Sequence, residues 1–162
     1  MSAVRAIPEG YHSLTPAIVC KGAARAIEFY KEVFHAKEIS RMTGPGGTIG
    51  HAELQIGDSR LMLSDEFPGM ASAPGSNPNT SNSLVHYTDN VDALFERAVK
   101  AGAKVEMPLQ NQFWGDRYGK IRDPFGHQWG LAQHVEDVAP AEMERRGKEW
   151  MAQASKAAGA HS

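Results

Sequence analysis

The hydrophobic pattern of the chain begins with a short apolar run and continues with an amphipathic stretch. The run "LTPAIVC" at 14–20 is bounded by Lys-Gly and predicts a strand. Residues 38–66 read as three strands, broken at Gly-Pro-Gly-Gly and at Gly57-Asp58. Between them, apolar residues at helical spacing predict one helix face, formed by Ala26, Ile27, Tyr30, Val33 and Phe34.

The same order of elements recurs in the second half. Residues 67–82 are rich in Pro, Gly, Ser and Asn and have the composition of a linker. The strand "SLVHYT" follows, then a helix capped by Asp89 or Asn90, and then "AKVEMP" and further strands. The apolar face of this second helix is formed by Val91, Leu94, Phe95, Ala98 and Val99.

The repeat is visible in residue identities as well as in pattern. "AKEI" after the first helix matches "AKVE" after the second, and "GHAELQIGDSRLML" lies over "GKIRDPFGHQWGL". We therefore predict an α+β fold of two tandem βαβββ modules, which form a curved mixed sheet around a pocket. One domain at 12–138 would contain module one at about 12–66 and module two at about 83–138.

The tail at 139–162 predicts a C-terminal helix with Met143, Trp150 and Met151 on one side. An amphipathic helix outside both modules must cover another surface. That surface is either the helix's own domain or a partner subunit, and the sequence leaves both open.

Composition narrows the class of protein. The 162 residues carry a formal net charge of −2 with no basic block, so nucleic acid is not expected as a partner. Cys20 is the single cysteine, which excludes an intrachain disulfide and a cysteine-based zinc cluster. No apolar leader or membrane-length span is present, so we expect a cytoplasmic protein that does not bind membranes.

Four segments carry a resemblance to a known family: "AIEFYKEVF", "GHAELQIGDSRLMLSDE", "QFWGDRYG" and "RDPFGHQWGL". In this order they resemble the vicinal oxygen chelate superfamily, which holds glyoxalase I, extradiol dioxygenases and the bleomycin and fosfomycin resistance proteins. Within it, the chain is most similar to PhnB-like glyoxalase/bleomycin-resistance proteins, over about 12–138.

The resemblance implies four metal-ligand positions, on the first and last strands of each module. In this chain they fall on Thr15, Met62, Ser83 and Gly130. None of these is a normal ligand for a divalent metal, so no metal is expected at the family position and no cofactor is expected. A divalent metal at another position stays open.

Strand alternation supplies candidate catalytic residues. Ala52, Leu54 and Ile56 form an apolar side, which leaves His51, Glu53 and Gln55 on the other face. His51 and Glu53 could act as a base and its orienting group, bind a ligand, or hold a metal away from the family position. They could equally be solvated strand residues or a structural ion pair.

Further candidates for ligand binding come from one loop and from the same alternation. The loop "QNQFWGDRYG" offers stacking surfaces beside a guanidinium, which suit a planar or anionic ligand, unless Trp114 only caps the sheet end and Asp116 pairs with Arg117. His86 alternates to the helix side and is expected to be a core histidine rather than a ligand. The predicted ligand-binding residues are Gln55, Met62, Ser64, Tyr87, Phe113, Trp114, Arg117 and Gln128.

Three functions are compatible with these residues. The first is binding of a small organic molecule in the sheet pocket, without the usual family metal. The second is a glyoxalase-like lyase or isomerase, or a dioxygenase-like enzyme, that uses a metal or His51 and Glu53. The third is a non-catalytic interaction protein that docks a partner through the C-terminal helix. A homodimer is expected in each case.

Overall fold

The computed structural model describes residues 4–75 and 81–160, so part of the predicted linker and the last two residues lie outside the described residues. The helices are α1 Ala23–Phe34, α2 Val91–Lys100 and α3 Pro140–Gly159, with a 3₁₀ turn at Pro45–Gly47. The strands are β1 Ala17–Val19, β2 Lys37–Thr43, β3 Ile49–Ile56, β4 Ser59–Ser64, β5 Leu84–Tyr87, β6 Lys104–Asn111, β7 Asp116–Arg122 and β8 Gln128–His134.

The strands form two four-stranded sheets of identical topology. Their orders are β1-β4-β3-β2 and β5-β8-β7-β6. In each sheet the first strand runs parallel to the last, and the other pairs are antiparallel. The predicted α+β fold of two βαβββ modules with a C-terminal helix is confirmed. Because β1 and β5 each have a single neighbour, both modules present an open strand edge.

The helix-bearing faces of the two sheets share one hydrophobic core. On α1, the rings of Tyr30 and Phe34 lie 5.5 and 4.5 Å from that of Trp129 on β8. Arg97 on α2 donates from Nε and Nη2 to the carbonyl of Val33, at 3.1 and 3.0 Å, and so joins the two helices. Cys20 is fully buried in this core. Each module therefore covers apolar surface of the other.

A buried carboxylate reinforces the contact between modules. Asp123 accepts from the hydroxyl of Tyr30 at 2.6 Å and from the indole N–H of Trp129 at 2.9 Å. Its second oxygen accepts from the backbone N–H groups of Phe125 and His127, both at 2.9 Å. A buried charge is tolerated when its oxygens are hydrogen-bonded, as both are here.

Helix α3 docks on the second module through its first half. Trp150 lies 5.7 Å from the ring of Phe113, and Arg146 donates to Glu136 at 2.8 Å. None of the helix's residues is fully buried, and Trp150 and Met151 stay 52% and 59% exposed. The helix therefore contacts its own domain and leaves apolar surface open. In the described residues, no helix has the length and apolar character needed to cross a membrane.

Candidate functional site

The predicted alternation on β3 places His51 and Glu53 side by side. Ala52 and Leu54 are fully buried in the core, whereas His51 and Glu53 lie on the opposite face and are partly exposed. His51 Nε2 is 3.3 Å from Glu53 Oε1, within reach of a hydrogen bond. Gln55, on the same face, donates to the carbonyl of Gly57 at 2.7 Å. The candidate catalytic pair is thus in contact.

A cavity of about 670 Å³ opens along the free edge of β5. The first module contributes its segment before β1 and its β3–β4 hairpin, and the second contributes the whole of β5. We call this cavity the inter-module cleft. It is lined by His12, Leu14–Pro16, Ile56–Leu61, Leu84–Tyr87 and Trp129.

Two smaller cavities are lined by three of the other predicted residues, Glu53, Met62 and Gln128. Glu53 and Met62 line one of about 440 Å³, together with Tyr11 and Thr15. Gln128 lines another of about 530 Å³ and also donates to Glu106 Oε2 at 2.7 Å. Of the predicted ligand-binding residues, Tyr87 lies in the inter-module cleft. Gln55 and Ser64 line none of these three cavities.

The residues at the family ligand positions can be tested for their fit to a divalent metal. Thr15 donates its hydroxyl to the carbonyl of His12 at 3.2 Å, and Met62 offers only a thioether. At Gly130, an added Cβ would lie 2.5 Å from the hydroxyl of Tyr118, so a ligating side chain has no room there. Across residues 4–75 and 81–160, no group of three or more His, Cys, Asp or Glu side chains could hold a metal ion. The donor set therefore does not fit the family metal.

Asp116 is the centre of a polar cluster at the start of β7. Its buried carboxylate accepts from the hydroxyl of Tyr87 at 2.7 Å and from the indole N–H of Trp114 at 3.0 Å. His134 Nδ1 lies 2.8 Å from the other oxygen, and its Nε2 lies 2.9 Å from Asp137. The sequence analysis did not identify this cluster, because Tyr87, Asp116 and His134 come together only through the pairing of β5 and β7 with β8.

The cluster shifts three pKa values. Burial alone would raise the pKa of Asp116, but hydrogen bonds from Tyr87, His134 and Trp114 hold it below its usual value. Hydrogen bonds to Asp116 and Asp137 raise the pKa of His134. The hydrogen bond to Asp116 also raises the pKa of the Tyr87 hydroxyl. The negative charge of Asp116 and the positive charge of protonated His134 therefore stabilise each other.

The predicted aromatic loop is held by the second module and by α3. Phe113 and Trp114 make an edge-to-face contact at 5.2 Å, and Trp114 reaches Asp116 as described. Arg117 pairs with Asp92 on α2, at 2.7 and 2.9 Å, rather than with Asp116. The guanidinium of Arg117 is therefore engaged on the helix side, and Phe113, Trp114 and Arg117 line none of the cavities described above.

These observations define the class: a tandem-module α+β protein with a cleft between its modules. The chain belongs to the Glyoxalase/Bleomycin resistance protein/Dioxygenase superfamily, whose family model matches residues 12–131. It is 43% identical over 130 residues to uncharacterized protein Rv0887c of Mycobacterium tuberculosis, covering 78% of this chain and 76% of the relative.

Solved structures agree with this membership. TioX from Micromonospora sp. ML1 superposes with a TM-score of 0.61 at 29% identity, over 76% of this chain and 99% of TioX. The PhnB protein from Bacillus cereus gives a TM-score of 0.60 at 20% identity, over 75% and 99% of the two chains. At 20% identity, the similarity to the PhnB protein concerns the fold alone. The predicted superfamily, with PhnB-like neighbours, is confirmed.

Proposed function

We propose that this protein binds a small organic molecule in the inter-module cleft, without a metal at the family ligand positions. The cleft carries the proposal, because its volume of about 670 Å³ and its largely apolar lining suit such a ligand. Thr15, His86 and Tyr87 add a few polar groups that could orient it. Both modules contribute to the lining, so the fold must be complete before the site exists.

A matched pair of substitutions tests the location of the site. Val85 is 51% exposed and lines the cleft, whereas Val105 is 48% exposed on β6, at the opposite edge of the same sheet. A panel of small acids, amides and alcohols is screened by thermal shift, and hits are titrated by calorimetry. We expect saturable one-to-one binding that Val85→Trp abolishes and Val105→Trp retains. Equal binding by both variants would place the ligand elsewhere.

A second candidate function is glyoxalase-like lyase or isomerase chemistry. The contact of 3.3 Å between His51 and Glu53 favours it, because a carboxylate beside an imidazole can orient a general base. Elemental analysis of protein purified without chelators is the first experiment. A stoichiometric divalent metal that is lost in His51→Ala and Glu53→Ala, but kept in Gln55→Ala, would support this function. Absence of metal from the folded wild type favours metal-independent binding.

We also propose that the protein is a cytoplasmic homodimer. The outer edge strands β2 and β6 carry exposed apolar side chains, such as Met42 and Val105, and unpaired strand edges favour association. Light scattering on a sizing column measures the mass. Met42→Glu and Val105→Glu are expected to shift a dimer toward monomer, and a monomeric wild type would reject the proposal.

A further inference from the structure

The lining of the inter-module cleft includes Arg60, whose guanidinium has two nitrogen atoms without hydrogen-bond partners among the described residues. Arg60, the second residue of β4, has buried Nε and Nη1 atoms that find no hydrogen-bond acceptor in residues 4–75 and 81–160. The ring of Tyr11 covers the group, with its centroid 5.5 Å from Cζ of Arg60. This cover shields the charge from water but supplies no hydrogen-bond acceptor for the N–H groups.

Several other arginines have hydrogen-bond acceptors, whereas the buried Nε and Nη1 of Arg60 have none among the described residues. Arg117 is held by Asp92, Arg97 by the Val33 carbonyl, and Arg41 by Glu38 at 2.9 Å. A buried donor without an acceptor destabilises a folded protein, and a charged one does so more strongly. An acceptor at Arg60 would remove that cost.

The acidic residues near Arg60 are Asp58 and Glu53. Asp58 is the acidic residue in the cleft lining, and its Oδ1 accepts from the hydroxyl of Ser59 at 2.8 Å. Glu53 lies close enough to interact with Arg60, but it lines the neighbouring cavity and contacts His51. The lining thus offers one guanidinium and one carboxylate, and that carboxylate lies in the β3–β4 turn.

The second module contributes His86 to the lining of the same cleft. His86 Nδ1 is buried without a partner in the part of the chain that the structure describes. Its ring packs against Phe34 with centroids 5.2 Å apart, and burial together with Arg97 lowers its pKa, which favours the neutral imidazole. A neutral imidazole still carries one N–H donor.

We infer that Arg60 anchors an anionic oxygen group, a carboxylate or a phosphate, of the small molecule bound in the inter-module cleft, with His86 as a donor from the opposite module. This inference rests on the proposed function and adds the charge class of the ligand. A guanidinium carries several N–H donors and a positive charge, which suit the oxygens of a carboxylate or a phosphate. Arg60 therefore takes the anion-binding role that the sequence suggested for Arg117.

The experiment compares benzoate with benzamide, which have nearly the same shape and differ in charge, and adds inorganic phosphate as a second anion. Calorimetric titration of the whole chain is expected to show saturable benzoate binding that weakens by about tenfold or more in Arg60→Gln. Arg117→Gln serves as the matched control and should bind like the wild type. Benzamide is expected to bind weakly to all three proteins. Preference for phosphate over benzoate would identify the anion as phosphate-like.

Three outcomes would overturn the inference. They are equal affinity for benzamide and benzoate, benzoate binding by Arg60→Gln that is as tight as that of the wild type, and saturable binding of neither benzoate nor phosphate. Binding of a neutral ligand that Val85→Trp abolishes would support the proposed function and would reject only the inference that the ligand is anionic. Failure of every ligand to bind, neutral or charged, would instead reject the proposed function.

A stability measurement covers the case in which Arg60→Gln folds poorly. In anion-free buffer, Arg60→Leu is expected to melt at a higher temperature than the wild type, because it removes an unpaired buried charge. Phosphate or benzoate should raise the melting temperature of the wild type and leave that of Arg60→Leu unchanged. Equal stabilisation of both proteins would contradict the inference, and no stabilisation of the wild type would mean that Arg60 binds ordered water only.

Discussion

The hydroxyl of Tyr118 lies 2.5 Å from the point at which a Cβ atom on Gly130 would project, and its ring atom Cε2 lies 2.8 Å from the same point. Gly130 therefore provides the space that the Tyr118 ring occupies on the sheet face. We predict that Gly130→Ala lowers the free energy of unfolding by about 1 to 3 kcal/mol, because the added methyl group displaces the ring. Urea denaturation of the wild type and the variant measures the difference.

Two companion variants make this prediction specific. Gly75→Ala adds a methyl group where no atom of residues 4–75 and 81–160 lies within 4 Å, and it should change stability by less than about 0.5 kcal/mol. Adding Tyr118→Ala to Gly130→Ala should remove most of the penalty that Gly130 substitution imposes, as measured against Tyr118→Ala alone. A Gly130→Ala protein as stable as the wild type would show that the ring moves without cost.

The bond between Tyr30 and Asp123 joins the two modules inside the core. Tyr30→Phe removes the donor at 2.6 Å and leaves the buried carboxylate with its bonds from Trp129 and two backbone N–H groups. We expect a loss of about 1 to 3 kcal/mol in the free energy of unfolding, because the partner is charged and buried. Tyr87→Phe removes a similar bond to Asp116 from a more exposed hydroxyl and should cost less. The reverse order of costs would refute this account.

His134, held between Asp116 and Asp137, is expected to make stability depend on pH. Its pKa is raised above 6.5 in the folded state, chiefly by the hydrogen bond to Asp116. A group with a raised folded pKa contributes stability that is complete below the unfolded pKa and disappears as pH rises through the folded pKa. The difference in unfolding free energy between the wild type and His134→Gln should therefore be larger below pH 6.5 than at alkaline pH.

Protonation of Asp116 limits the stability that the cluster contributes at acidic pH. Its pKa is held below 3.8, so its contribution is complete above that pH and disappears as pH falls through the folded pKa. The cluster should therefore stabilise the protein most between pH 3.8 and 6.5. Denaturation curves across this pH range, for the wild type and His134→Gln, test this dependence of the unfolding free energy on pH. A constant difference at all pH values would mean that the imidazole does not titrate against these carboxylates.

Local pattern was sufficient to predict most of the fold. Apolar spacing identified the buried face of α1, and alternation on β3 separated buried Leu54 from partly exposed Glu53. Of the two proposed caps for α2, the structure selects Asn90, whose side chain accepts from the N–H of Ala93 at 3.2 Å. These features depend on neighbours in sequence, and the repeat supplied the order of strands.

The candidate site depends on contacts that no local pattern contains. Asp116 meets His134 because β7 and β8 pair in one register, and Arg117 turns toward α2 because β7 begins at Asp116 instead of leaving that stretch as a loop. Arg60 shares a strand face with Met62 and Ser64, so alternation could have singled it out. Its unpartnered burial, however, arises from Tyr11 in the segment before the first module, which lies outside the repeat.

The last prediction concerns neighbouring arginines on α3, which differ in what they hold. Arg146 donates to Glu136 and to the carbonyl of Phe113 on the second module, whereas the ion pairs of Arg145 are with Glu142 and Glu149 of the same helix. Arg146→Ala should therefore loosen the helix from the domain. Arg145→Ala should cost only the few tenths of a kcal/mol typical of exposed pairs within a helix.

Hydrogen exchange followed by mass spectrometry measures this difference. Arg146→Ala is expected to increase amide exchange along α3 and in the loop around Phe113, and to leave α1 and β3 protected, because the helix contributes no fully buried residue to the core. Arg145→Ala should change exchange only slightly and only within the helix. Equal exchange in the two variants would show that the ring contact of Trp150 with Phe113, and not Arg146, holds α3 on the second module.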